Sequence, residues 1–204
     1  MIKKYIMLGA GGHASVCRDV AKISGFSEAG FVLQSESQIS NARSESCFLG
    51  TDDWLCKKLE NRPYLINGIG GGAKSKVRSI IFNKYYSLGF KFLSLIHPSA
   101  QISGNVTLGD GVQIMAGAII QPNCSVEANS IINTGASIDH DCIIKKDAHI
   151  APGAVLCGNV EVGQGAFVGS ACCITPGLFI GDGATVGAGI TVLADVIAGG
   201  TFTG

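Results

Sequence analysis

The 204 residues carry fifteen basic and fifteen acidic side chains, so the formal net charge is zero. No Lys/Arg cluster of the kind that binds nucleic acid interrupts that balance, which argues against a polyanionic partner. Glycine is the unusual component, 29 residues, roughly twice average usage, concentrated beyond residue 100 and without the collagen period.

The chain opens on Lys3-Lys4 and the apolar run Tyr5–Leu8, which Gly9 ends too early for a signal-peptide core. No stretch approaches the ~18 apolar residues of a membrane span. The eight cysteines show no zinc-type spacing, and with no secretory signal a reduced, cytoplasmic setting is expected. Residues 1–97 alternate between strand and helix patterns. Tyr5–Leu8 reads as a strand, and residues 13–24 as a helix with Val16, Val20 and Ile23 at helical spacing, stopped by Gly25. Gly30–Leu33 is a second strand, and the Ser-rich Gln34–Asn41 a loop. Thr51 offers an N-cap for a helix through Trp54, Leu55 and Leu59. Tyr64–Ile66, Lys74–Leu88 (apolar at Val77, Ile80 and Ile81) and Phe90–Ile96 continue as strand, helix and strand. Such alternation predicts an α/β, Rossmann-like domain with a parallel sheet.

After His97-Pro98 the period changes. From Ile102 to Val192 every sixth residue is aliphatic, sixteen in succession without an insertion. A second, mostly small series follows four residues behind each, from Val106 to Val196, and includes Cys124, Cys142 and Cys172. Each hexad reads as a short strand and a turn, with the aliphatic residue pointing to an axis. Three hexads close a triangular coil of about 18 residues, and at about 4.8 Å per coil the prism stands roughly 25 Å tall. The inward cysteines are expected to pack as compact hydrophobes. Residues 98–204 thus form an all-β parallel β-helix domain.

The hexapeptide run, the Gly9-Ala10-Gly11-Gly12-His13-Ala14 start and the segment Asp139-His140-Asp141-Cys142 together resemble the PglD/NeuD-type sugar acetyltransferases of the hexapeptide-repeat superfamily. The resemblance implies a left-handed helix, against the usual right-handed crossover, a homotrimer, and acetyl-CoA as co-substrate. It implies His140 as general base with Asp141 as its orienting carboxylate. His149, Gly158, Ser170 and Ala188 are then expected at acetyl-CoA. Gly9, Gly11, Gly12, His13 and Asn133 are expected at a nucleotide-linked or acidic sugar acceptor. After the second strand the family often has an acidic pair, whereas Leu33-Gln34-Ser35-Glu36 stands here.

The chemistry of these residues supports that reading. Gly9-x-Gly11-x-x-Ala14 between a strand and a helix offers turn freedom and free N–H groups to a phosphate. A dinucleotide site would need an acid ending the second strand, and none stands there in the expected form. Imidazole titrates near neutral pH and can take the proton of an attacking amine or hydroxyl without an unusual environment. A backbone N–H could hold the oxyanion. His140 is expected to face out, and His149, as the last residue of its hexad, off another side. Gly158, 18 residues beyond His140, falls directly above it, and is expected to leave open space for a thioester. Pro122 falls directly below.

One chain is not expected to bring His140 and His149 to one substrate, so a composite site across a trimer is expected. Outward apolar residues Ile119, Ile131, Ile143, Phe167 and Phe179 would form the interface. His97 reads as a hinge. Zinc of the γ-carbonic-anhydrase kind is not expected, since the repeats hold only His140 and His149. Other open readings are a cysteine nucleophile at Cys157 or Cys173, a non-catalytic trimeric scaffold, and O-acetylation of a sialic-acid-like sugar in place of N-acetylation.

Overall fold

The computed structural model describes residues 3–58, 60 and 62–204. The chain folds as two compact units, one of Met1–Gly70 with Val77–Leu95, and a second of Gly71–Lys76 with Ile96–Gly204.

The first unit runs β1 (Lys4–Leu8), α1 (Gly12–Ile23), β2 (Ser27–Leu33), β3 (Phe48–Thr51), α2 (Asp52–Cys56), β4 (Tyr64–Asn67) and α3 (Val77–Ser87). The strands pair in parallel in the order β3-β2-β1-β4. The buried centre of β1 and β4 reads Ile6, Met7, Leu65 and Ile66, as a sheet covered on both faces requires. Several sequence expectations need correction. β3 is an additional edge strand, and a short 3-10 helix, Glu36–Asn41, replaces the expected loop. Thr51 holds the N-cap position of α2 but makes no side-chain capping bond, and Leu59 lies outside the described residues. α3 begins at Val77, because Lys74 adopts a left-handed φ of 64° that no helix accommodates. Of Phe90–Ile96 only Leu95–Ile96 is a strand.

The helices also present different faces from those expected. α1 buries Ala14, Cys17, Val20 and Ala21, leaving Val16 and Ile23 exposed. α3 buries Arg78, Ile81, Phe82 and Tyr85, leaving Val77 and Ile80 exposed. Arg78 is held inside by donating from Nη1 to the carbonyls of Asn67 (3.0 Å) and Ile69 (2.7 Å), so its charge is met by backbone dipoles.

The second unit is a triangular parallel β-helix of two-residue strands. Each strand pairs with those 18 residues before and after, as in Ser125↔Ile143↔Glu161 and Ile131↔His149↔Phe167. The aliphatic series lines the axis with Ile114, Ile132, Ile150 and Val168 fully buried, and Cys124, Cys142 and Cys172 packed among them. One coil breaks the period. Val196 bridges to Ile180 and Thr201 pairs with Thr185, so the final coil is two residues short. Val196 therefore takes the strand position of the aliphatic series in place of its expected place in the second, mostly small series.

Candidate active site

One corner of the prism carries Asp139-His140-Asp141. Asp141 has φ 61°, a left-handed conformation that Asn, Asp and Gly tolerate best. That bend turns its carboxylate back on its neighbour, and His140 Nδ1 lies 2.6 Å from Asp141 Oδ2. The backbone N–H of His140 donates to Asp139 Oδ1 at 2.8 Å. The imidazole is 58% exposed and Asp141 48%, so the pair is open to a substrate.

The electrostatics follow from those contacts. The hydrogen bond to Asp141, and then the charge of Asp139, raise the His140 pKa above the ordinary imidazole value. Asp141 is lowered, first by His140 and second by a bond from Asn123. With the carboxylate ionised, Nδ1 carries the proton and Nε2 the lone pair, which is the tautomer a general base needs. The neighbouring coil touches the ring directly. A methyl built on Gly158 would stand 2.6 Å from His140 Cε1 and 2.7 Å from Nε2. Gly158 therefore does lie over the histidine, but the imidazole fills the room expected to stay open for a thioester. The stacking runs through Asn159 N→His140 O and Asp141 N→Pro122 O.

His149 points away from the axis, as the hexad phase predicts, yet it is only 8% exposed. Its Nδ1–H donates to the Gly71 carbonyl at 2.9 Å, and Asn133 Nδ2 approaches Nε2 at 3.1 Å. Asn133 is itself oriented by accepting from Thr134 N at 2.8 Å. The face is well covered: Gln113, Ile131 and Thr185 are buried too, so Ile131 is no exposed interface residue. Both His149 nitrogens are engaged within one chain, and direct use of its ring on a substrate would first have to break these bonds. Ser170 is half-buried and accepts from Gly189 N through its carbonyl, while Ala188 is exposed on the next coil. Cys157 and Cys173 are half-buried, and burial pushes the Cys157 thiol up, away from a reactive thiolate. His97 Nδ1 accepts from Ser99 N and is joined by Ser99 Oγ, closing a local turn.

In the first unit the β1–α1 loop places Gly11 at the N-cap of α1, with Gly12 and His13 opening the helix. The cap residue offers no side-chain bond to that terminus and the first turn has no acid, so its N–H groups and positive dipole end favour an anion. Gly9 (φ 90°) passes so near Ile69 that a methyl would lie 2.8 Å from Cδ1. Arg43 went unmarked in the sequence. Its N–H donates to Ala10 O at 2.7 Å and its guanidinium lies 3.9 Å from a methyl built on Gly12. A cavity of about 100 Å³ opens beside Leu8, Gly9, Leu33, Gln34, Gln38 and Asp52 at the carboxyl ends of β1 and β2. Gln34 N donates to Gln38 Oε1 at 3.1 Å, so a neutral amide stands where an acid often ends β2.

Comparison with known proteins places these features. The PglD N-terminal domain model matches residues 4–85, and the bacterial transferase hexapeptide model (six repeats) matches residues 105–140. A histidine mutant of perosamine N-acetyltransferase from Caulobacter crescentus, solved with CoA and GDP-perosamine, is 32% identical; the match covers 97% of this chain and 92% of that one, with a TM-score of 0.86. The acetyltransferase domain of PglB from Neisseria gonorrhoeae, solved with acetyl coenzyme A, is 28% identical over 98% and 96%, with a TM-score of 0.83. The chain belongs to the hexapeptide-repeat sugar acetyltransferases with a PglD-type N-terminal domain. Its prism is thus a left-handed β-helix, and its activity is acetyl-CoA-dependent acyl transfer to a sugar.

Proposed function

We propose that the chain N-acetylates a nucleotide-linked amino sugar, with His140 as general base. The 2.6 Å contact between His140 Nδ1 and Asp141 Oδ2 carries this reading. The amine nitrogen attacks the thioester carbonyl while its proton passes to Nε2. The tetrahedral oxyanion then collapses, the C–S bond breaks, and the CoA sulfur leaves as thiolate and takes up a proton. Asp141 holds the imidazolium through Nδ1. The relatives solved with GDP-perosamine and with acetyl coenzyme A support both substrate classes. The N-terminus of α1, with Arg43 nearby, supports a phosphate-bearing acceptor at Gly9, Gly11, Gly12 and His13.

Asn133 is assigned to the acceptor side, and His149, Gly158, Ser170 and Ala188 to acetyl-CoA. Exposed Ile143, Val155 and Phe179 on the prism support a homotrimer, which light scattering checks against three times the 21.0 kDa chain. Eight free cysteines fit a reducing cytoplasm, and no described helix is long and apolar enough to cross a membrane.

The test offers acetyl-CoA with GDP-, UDP- and CMP-linked amino sugars and follows CoA release. His140→Ala should lose about 10²–10⁴-fold in kcat while staying folded. A folded variant that keeps wild-type turnover removes His140 from the chemistry.

A further inference from the structure

Each corner of the prism places a left-handed residue in successive coils, but the three corners fill that position differently. One uses Gly117, Gly135, Gly153, Ala171 and Gly189; the corner bearing His140 uses Asn123 (φ 64°), Asp141 (φ 61°), Asn159 (φ 60°) and Gly177 (φ 73°). The third corner also carries Asn129 (φ 60°) and Asp147 (φ 64°) among glycines, so what sets the second corner apart is not the residue type, which the backbone tolerates, but what its side chains reach. There they form a continuous column. Asn105 Nδ2 donates to Asn123 Oδ1, and Asn123 N donates back to Asn105 Oδ1 at 3.4 Å. Asn123 Nδ2 then donates to Asp141 Oδ1 at 2.9 Å, and Asp141 Oδ2 meets His140 Nδ1 at 2.6 Å.

The direction of this column is imposed by its end. An ionised carboxylate only accepts, so Asn123 must turn its NH2 towards Asp141 and its oxygen towards Asn105, which donates to it. We infer that Asn123 is a positioning residue for the acetyl transfer, clamping one oxygen of Asp141 so that the other faces His140. The inference rests on the reading of His140 as the base. Asp141 is half exposed, and a carboxylate held only by the imidazole would rotate among rotamers in water. Held from two sides, one oxygen each, it keeps its plane, fixes the proton on Nδ1 and leaves the Nε2 lone pair for the acceptor. Asn123 also favours the ionised form of Asp141, second only to His140 itself. The charged groups that act on His140 are Asp141 and Asp139 from its own turn, and the coil above sets the Gly158 backbone against the ring.

The experiment uses the full-length protein with 15N-labelled imidazoles, comparing wild type with Asn123→Gly by NMR titration. Glycine adopts φ near 65° at many corners of this prism, so the turn itself is preserved. The His140 titration midpoint should move down towards the ordinary imidazole value, and its tautomers should relax towards a mixture. In turnover, kcat should fall about 3- to 10-fold, the worth of one hydrogen bond, with KM for both substrates unchanged.

Asn129→Gly is the matched control, since Asn129 (φ 60°) donates to Asp147 Oδ1 at 2.6 Å on another corner; it should leave both readouts alone. An unchanged His140 midpoint and tautomer in Asn123→Gly overturns the inference, as does an equal shift in Asn129→Gly. Because the titration needs no turnover, it fails separately from the base assignment, which His140→Ala tests.

Discussion

Gly158→Ala isolates the geometry of the base from the stability of the fold. A methyl at this position would lie 2.6 Å from Cε1 and 2.7 Å from Nε2 of His140, where ordinary contact begins at 3.4 Å. The imidazole must therefore retreat by about 0.8 Å. It can do so, because it is a terminal ring with 58% exposure, and Gly158 does not have a positive φ that would strain alanine. The melting temperature should thus stay within the shift of a surface substitution, about 0.5 kcal/mol. The retreat pulls Nδ1 off a 2.6 Å bond to Asp141 and moves Nε2 away from the acceptor. A misplacement near 1 Å at a reacting group costs on the order of 10²-fold, so kcat should fall by about that factor, beside any rise in KM from the acetyl-CoA contact assigned to Gly158. Steady-state kinetics on both substrates, beside a thermal melt, make the measurement. A kcat within about threefold of wild type would refute the reasoning. A raised KM for acetyl-CoA at preserved kcat would instead mark Gly158 as a cofactor contact only.

Asp141→Asn removes the largest influence raising the His140 pKa; since the base works unprotonated, the acidic limb of the kcat–pH profile should move to lower pH, with plateau kcat reduced on the order of 10–10²-fold, less than in a buried triad. A limb that stays put separates Asp141 from the base. Ala171 holds φ 53° on a corner otherwise built of glycine; Ala171→Gly relieves about 1–2 kcal/mol of strain against about 0.4–1 kcal/mol of unfolded-chain entropy. A rise of about 1–3 °C in Tm should result, and a fall would show that the strain is absent. His149→Ala leaves the Gly71 carbonyl and the Asn133 amide without their buried partner, so it should cost about 2–4 kcal/mol, read by denaturant unfolding. Unchanged stability would show that these bonds carry no weight in the fold, and acetyl-CoA binding measured on the same variant checks the assignment of His149 to that ligand.

The β-helix was legible because one period is written through it without an insertion, and the inward series alone forms the core. The same regularity hid its one defect. Val196 fits either the second, mostly small series or the aliphatic strand series, so a two-residue contraction leaves the local pattern intact. In the first unit, helical spacing found the helices but not their faces. Their buried sides use Ala14, Cys17 and Ala21, or the aromatic Phe82 and Tyr85, while Val16 and Ile80 stand in solvent. Exposed aliphatics are ordinary on a folded surface, so a spacing argument that counts only large apolar residues picks the wrong stripe when close packing on a sheet selects small ones. β3 was missed because its four residues include Gly50, whose φ of 141° suits close passage beside Trp54 rather than strand propensity.

For the site, coil phase and exposure are separate quantities, and only the first is written in the hexads. Phase placed His140 and His149 both off the axis, yet one is open and the other is covered, because Gly71 sets its carbonyl against His149. That contact spans 78 positions in the chain and leaves no periodic trace. The support beneath His140 did leave one. Asn105, Asn123, Asp141 and Asn159 recur at the interval of the coil itself, so the 18-residue period can be read on polar residues as well as on aliphatic ones. At a left-handed corner glycine is the residue of least cost, and a run of Asn and Asp there signals that the side chains, rather than the backbone, are under constraint. The aliphatic period thus defines the scaffold, and a corner is turned to chemistry only where its polar side chains also reach a reactive group, as Asn123 reaches His140 through Asp141 and Asn129 with Asp147 does not.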